Sequence, residues 1–206
     1  MLSSNPMEKK VQNAWAFYDW ANSVYSLVIS TAVFPIYFNS VTSVNDQPIH
    51  YELLGMSVPN TTLYSYSLSL SFVLVAIISP FLSGIADHTG KKKRFMQFFC
   101  YLGATSCSLL YFFDGSNIWF GLLMSVLASV GFWGSLVFYN AFLPEVASPD
   151  QQDALSAKGF SLGYIGASLL LIVNLLMIQM PDTFGFNGAG DASRFSFLLV
   201  GIWWAG

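Results

Sequence analysis

Charge is what this chain has least of. Only 9% of its 206 residues are Asp, Glu, Lys or Arg, against roughly 25% in a soluble domain. So few charges do not clothe a soluble globule. A chain that is 54% hydrophobic is also neither disordered nor a coiled coil, since both need a polar or heptad-charged surface. Basic residues number eight against eleven acidic ones, for a net charge of −3. That balance excludes a nucleic-acid binder, which needs a basic face for phosphates. The two histidines, His50 in the outer loop and His88 between spans two and three, form no plausible metal-ligand set, so no metal site is expected. No glycine-rich phosphate loop follows a strand. The serine-rich run from Tyr64 to Ser71 has no basic partner to activate a nucleophile. With no catalytic constellation, no enzyme and no cofactor are expected. The two cysteines, Cys100 and Cys107, lie about 10 Å apart along a helix, too far for a disulfide, and read as small lipid- or core-facing residues.

Apolar and aromatic residues are abundant instead, with 19 Phe and 10 Tyr in a chain that is 17% aromatic. A bilayer core about 30 Å thick needs about 20 apolar residues per helix. Five stretches meet that requirement: residues 14–38, 63–86, 95–113, 118–142 and 159–180. A sixth begins near Arg194 and runs to Gly206, reaching only about 18–20 Å at about 1.5 Å per residue. The sequence therefore reads as stopping inside its sixth helix. The alternative is a short interfacial helix ended by the Trp203-Trp204 pair, since Trp favours the interface. The expected fold is all-α: a polytopic transmembrane bundle of six spans over residues 14–206, preceded by a polar segment, 1–13.

Orientation follows from the basic residues. If every span crosses, Lys9, Lys10, Lys91, Lys92, Lys93, Arg94 and Lys158 share one side. The other side carries Asp46, His50, Glu52, Asp114, Asp182 and Asp191, with Arg194 alone positive. The positive-inside rule then puts the N-terminus in the cytoplasm, with the cell (inner) membrane as the expected location. Between spans, 39–62 reads as a polar outer loop, Asp114-Gly115-Ser116-Asn117 as a tight turn, and 144–157 as a cytoplasmic link. Ser79-Pro80 marks an expected kink in the second span.

Asp19 is the one acid clearly inside a span. Intramembrane carboxylates are costly and ordinarily face a cavity or a partner. On a helix, Asp19, Asn22, Ser23, Ser26 and Ser30 fall within a sector of about 100°, a polar stripe suited to a solute or ion pathway. The competing reading is an Asp near the headgroups that favours the helix N-terminal dipole, with serines that merely pack. Gly159, Gly163 and Ala167, with Gly166 beside them, read as a close-packing helix face. Glu145 and Lys158, near the same ends of spans four and five, are a candidate inner-gate ion pair, although such pairs at helix ends are commonly worth little.

The most specific signal joins spans two and three: Ser83-Gly84-Ile85-Ala86-Asp87-His88-Thr89-Gly90-Lys91-Lys92-Lys93-Arg94. An acid ends one helix, a glycine permits a tight turn, and a basic block follows. By itself this is a positive-inside anchor. It also resembles the loop motif G-x-L-A-D-x-x-G-x-K/R-K/R of the major facilitator superfamily, with Ser83 in place of the first Gly, Ile85 for Leu and His88 for the usual base. The resemblance implies that Asp87, Gly90, Lys91 and Lys92 form a cytoplasmic latch that gates the protein and does not bind its solute.

A second resemblance narrows the branch. Phe17-Tyr18-Asp19-Trp20-Ala21-Asn22-Ser23-Val24-Tyr25 is similar to the opening of the vacuole-effluxer-like (autophagy-related permease) family. So are the stretches from Phe138 to Glu145 and from Ser156 to Gly166. The resemblance implies the N-terminal half of a twelve-helix secondary transporter with nested inverted repeats. It would work by alternating access on a small solute such as an amino acid, which fungal members are implicated in exporting. Asp19 would then be a proton or cation coupler. The implied partners are membrane lipid, the solute, and a second six-helix half or a second copy of the chain. The rival reading is a non-transporting scaffold or subunit, which would have a solid apolar core and polar residues only at its ends.

Overall fold

A computed structural model describes residues 6–45 and 47–206; Asp46, counted above among the outer acids, lies outside the described residues, as do residues 1–5 of the polar N-terminal segment. The first span is one rod of three parts: α1 (Pro6–Val24), a nine-residue π-helical stretch (Tyr25–Val33) and α2 (Phe34–Val41). Helix is thus already present at Pro6, well before the apolar stretch at residue 14. The π-helical stretch is a feature sequence periodicity does not show. It precedes Pro35, which has no N–H for the Thr31 carbonyl and whose ring crowds it. A π segment widens the turn and relieves that conflict.

The remaining helices are α3 (Asn60–Thr89), α4 (Lys92–Leu109), α5 (Ile118–Val146), α6 (Pro149–Gln179) and α7 (Ala189–Ala205). Among the described residues five rods are long and apolar enough to cross a membrane: Pro6–Val41, Asn60–Ala86, Lys92–Phe112, Ile118–Val146 and Pro149–Gln179. α7 is 17 residues long, about 25 Å at the helical rise.

Two connections differ from the expected ones. Within the polar outer loop expected at 39–62, two small hairpins occupy the stretch between Val41 and Asn60. β1 (Ser43–Val44) pairs with β2 (Gln47–Pro48), and β3 (His50–Leu53) pairs with β4 (Met56–Pro59). Leu54 and Gly55 both take positive φ, 52° and 79°, the pattern of a tight hairpin turn whose twist matches its strands. Asn60 ties this unit down: its amide donates to Thr42 O at 3.0 Å and Thr42 Oγ1 at 2.8 Å. The second difference is at 144–157, which is helix almost throughout. α5 runs through Pro144 to Val146, and α6 starts at Pro149, so the link shrinks to Ala147 and Ser148. Proline at the first helical position forfeits only a donor that had no partner. The helix α3 likewise continues through Pro80.

Elsewhere the turns follow their residues. Gly90 closes α3 in the left-handed region at φ 65°, and the Lys91 amide reaches back to Ala86 O at 3.2 Å, as in a Schellman cap. In the α4–α5 turn, Asp114 Oδ1 accepts the Ser116 amide at 2.9 Å and its hydroxyl at 2.6 Å. Asn117 then caps α5 through the Phe120 amide.

Packing pairs α4 with α5 and α7, α5 with α3, and α6 with α1. Lipid is as apolar as leucine, so close backbone approach does the work that water exclusion does elsewhere. A Cβ on Gly131 of α5 would lie 2.5 Å from Gly103 Cα of α4. Near the hairpin end, Phe34, Tyr37, Phe38, Tyr64, Phe113 and Phe197 form an aromatic cluster, and the Tyr37 hydroxyl donates to Phe113 O at 2.6 Å. Cys107 is buried in this core and Cys100 is half-buried, both as free thiols.

Candidate functional site

The α1–α6 seam builds the site. Gly159, Gly163 and Gly166 of α6 face α1. A Cβ on Gly159 would lie 2.8 Å from Asp19 Oδ2, one on Gly163 would run into the Ser23 hydroxyl, and one on Gly166 would lie 2.9 Å from Trp20 O. These contacts bear out the close-packing reading and add a second consequence. The missing side chains leave room beside Asp19 for its polar neighbours.

Asp19 itself is only 4% exposed. Its Oδ2 accepts the Tyr139 hydroxyl of α5 at 3.1 Å, and among the described residues no cation pairs with it. Tyr139 is held rigidly. Its ring stacks on Trp15 with centroids 4.2 Å apart and 9° between planes, and Trp15 Nε1 donates to the Tyr139 carbonyl at 3.0 Å. One face of the carboxylate is thus satisfied by a fixed donor. Asn22, one helical turn along, is 1% exposed, and among the described residues its Oδ1 has no hydrogen-bond partner. A buried polar atom without a partner is costly, so an unpaired acceptor at this point marks a place for a donor.

Both residues face a cavity of about 210 Å³ bounded by Asp19, Asn22, Ser23, Ser26 and Leu27 of the first span, Phe132 and Leu136 of α5, and Phe160, Tyr164 and Ala167 of α6. Four of the five stripe residues therefore meet there. Ser30 does not. It lies farther along the π-helical stretch that also carries Ser26. Polar groups of the first span line one wall and aromatic and aliphatic groups the other, with Phe160 and Tyr164 exposed at the rim. The sequence reading missed Tyr139, Trp15, Phe132, Phe160 and Tyr164. Tyr139 lay inside a family-like stretch, but its role depends on α5 crossing α1, which no local pattern reports.

At the basic end of the bundle, the expected Glu145–Lys158 pair does not form. Glu145 pairs with Lys92 at 2.7 Å, and Lys158 donates to Asn13 Oδ1. The cause is the packing: α5 ends beside α4, whereas α6 leaves the short link to lie along α1. Of the latch residues, Gly90, Lys91 and Lys92 form the α3–α4 connection just described. Asp87 lies in the last turns of α3, and its side chain is outside what the structure describes. Among the described residues no group of three or more His, Cys, Asp or Glu is placed to hold a metal ion.

Comparison with known proteins follows the same lines. Residues 7–206 match the family model described as "Vacuole effluxer Atg22 like". The chain is 35% identical over 198 residues to the uncharacterized MFS-type transporter YxiO of Bacillus subtilis (strain 168), covering 95% of this chain and 44% of that protein. It is 23% identical over 235 residues to autophagy-related protein 22-1 of Penicillium rubens, covering 82% of this chain and 38% of that one. An uncharacterized protein of Aquifex aeolicus is 23% identical over 191 residues, covering 91% of this chain and 44% of its own length. The chain thus spans less than half the length of these relatives. No solved structure matches it. With a family model matched along nearly all of its length and five helices able to cross a bilayer, the chain is an integral membrane protein that belongs to the vacuole-effluxer-like family.

Proposed function

We propose that this chain forms one wall of a secondary active transporter that moves a small solute, such as an amino acid, by alternating access. The observation that carries the reading is the buried Asp19 carboxylate, held by Tyr139 beside the unpaired Asn22 acceptor, at the edge of a cavity between α1, α5 and α6. A scaffold has no use for these costly groups in its interior. The Asp19 carboxylate and the unpaired Asn22 oxygen suit a solute that brings donors or a positive charge, and Asp19 is the candidate proton or cation coupler. The names of the relatives support transport over enzymatic function.

In this reading a second six-helix half, or a second copy, closes the other side of the cavity. Asp87, Gly90, Lys91 and Lys92 act as the latch between the halves, with Lys92 steadied by its pair with Glu145. The N-terminus faces the cytoplasm and the protein resides in the cell membrane. The test is Asp19→Asn in the full polypeptide the gene encodes, reconstituted in liposomes and assayed for amino-acid uptake under an imposed proton or sodium gradient. Wild type should accumulate solute, and the variant should lose accumulation while still exchanging solute across equal concentrations. Undiminished gradient-driven uptake by the variant would remove Asp19 from coupling.

A further inference from the structure

A second cavity lies where α3 hands over to α4, away from the Asp19 site. It is an open groove of about 390 Å³ lined by Leu82, Lys91, Arg94, Phe95, Phe98 and Phe99. Its two ends differ in chemistry. Leu82 and the three phenylalanines make an apolar trough: Phe99 is buried, its ring stacked toward Phe138, and Phe98 stands 61% exposed with its edge against Phe99. Lys91 and Arg94 stand at the other end, both exposed. Among the described residues neither pairs with a carboxylate, because Lys92 takes Glu145, the acid at this end of α5. The N-terminus of α4 has no side-chain cap, so its dipole adds to the same positive field.

This trough begins within a turn of the ends of two membrane-crossing rods, Asn60–Ala86 and Lys92–Phe112, the depth at which headgroups give way to acyl chains. A soluble anion would match the two cations and leave the aromatic trough unused. A neutral lipid would fill the trough and leave the cations unmatched. We propose that this groove binds one anionic phospholipid, with its phosphate between Lys91 and Arg94 at the head of α4 and one acyl chain along Phe95, Phe98 and Leu82. Basic residues at a membrane surface each favour anionic lipid by about 1 kcal/mol, so two of them predict a preference of about tenfold or more over a neutral lipid.

The experiment titrates the purified full polypeptide with phosphatidylglycerol or phosphatidylcholine of matched chains and counts bound lipids by native mass spectrometry. Wild type should retain one phosphatidylglycerol about tenfold more tightly than phosphatidylcholine. K91Q/R94Q should bring the two to parity. K9Q/K10Q removes the same charge from the same end of the bundle and should leave the preference intact. No preference in wild type, or equal losses in both double variants, would overturn a built site in favour of diffuse attraction. A benzophenone amino acid at position 98 gives an answer that does not depend on the glutamine variants folding. A lipid-mass adduct is expected in phosphatidylglycerol-containing membranes, and capture of protein in its place would assign the groove to a protein interface.

Discussion

At the scale of single residues, the informative contrast is between two aspartates. Asp114 sits in an exposed turn, where the hydroxyl and amide of Ser116 hold its carboxyl below the usual carboxylate range. Hydrogen bonds to the charged form do this. A lowered folded value means the turn's contribution is present above the ordinary carboxylate pKa and is lost as pH falls through the lowered one. Ser116→Ala should move the Asp114 titration upward, as read by carboxyl NMR; an unmoved titration would discard the turn as its cause. Asp19 is buried, and Tyr139 is its one hydrogen-bond donor among the described residues. Interhelical hydrogen bonds in bilayers are worth about 0.6–2 kcal/mol, toward the upper end when the acceptor is charged. Tyr139→Phe should therefore lower the apparent melting temperature by a few degrees and cut uptake about tenfold. A variant that matches wild type in both would show that the bond has no weight.

At the scale of elements, the α1–α6 seam depends on residues that are absent in bulk. Gly163→Leu should force the helices apart at Ser23 and reduce both the folded yield and the melting temperature, measured by fluorescence-detected chromatography. Gly84→Ala, where an added Cβ meets nothing within 4 Å, should fold as well as wild type. Gly159, Gly163 and Ala167 were legible as a packing face because small residues at four-residue spacing announce one. The five crossing rods were legible because twenty apolar residues have few alternatives. The two hairpins at 43–59 were not legible, since strands of two to four residues carry too little alternation and loop polarity hides them. The π-helical stretch was equally silent. It lies just before Pro35, and Ser30 within it is the one stripe residue that does not line the cavity. The Glu145–Lys158 pair failed for a tertiary reason: nearness in the chain says nothing about which helix α6 will lie against.

At the scale of the whole molecule, the proposed orientation makes the two ends of the bundle chemically addressable. With Cys100 and Cys107 replaced by alanine, a single cysteine at Ser57 should react with a membrane-impermeant maleimide on intact cells. One at Lys93 should react only after permeabilisation. The reverse labelling would invert the topology while leaving the fold untouched.

The link between α5 and α6 has a mechanical consequence. Only Ala147 and Ser148 separate the two helices, and Gln12 of α1 clasps this corner, donating to Val146 O at 3.1 Å and to Gln151 Oε1 at 3.2 Å. Past the corner they go separate ways, α5 toward α3 and α4, α6 toward α1. The pair is built like a drawing compass with a pinned joint. The cavity walls at Phe132 and Leu136 on one leg, and at Phe160 and Tyr164 on the other, hang roughly 15–25 Å from that joint at the helical rise. With legs of that length, a swing of 10° at the joint displaces a tip by about 3–4 Å, comparable to a water molecule's width. A small angular change at a two-residue corner would thus be felt at the cavity walls on the scale of one water molecule.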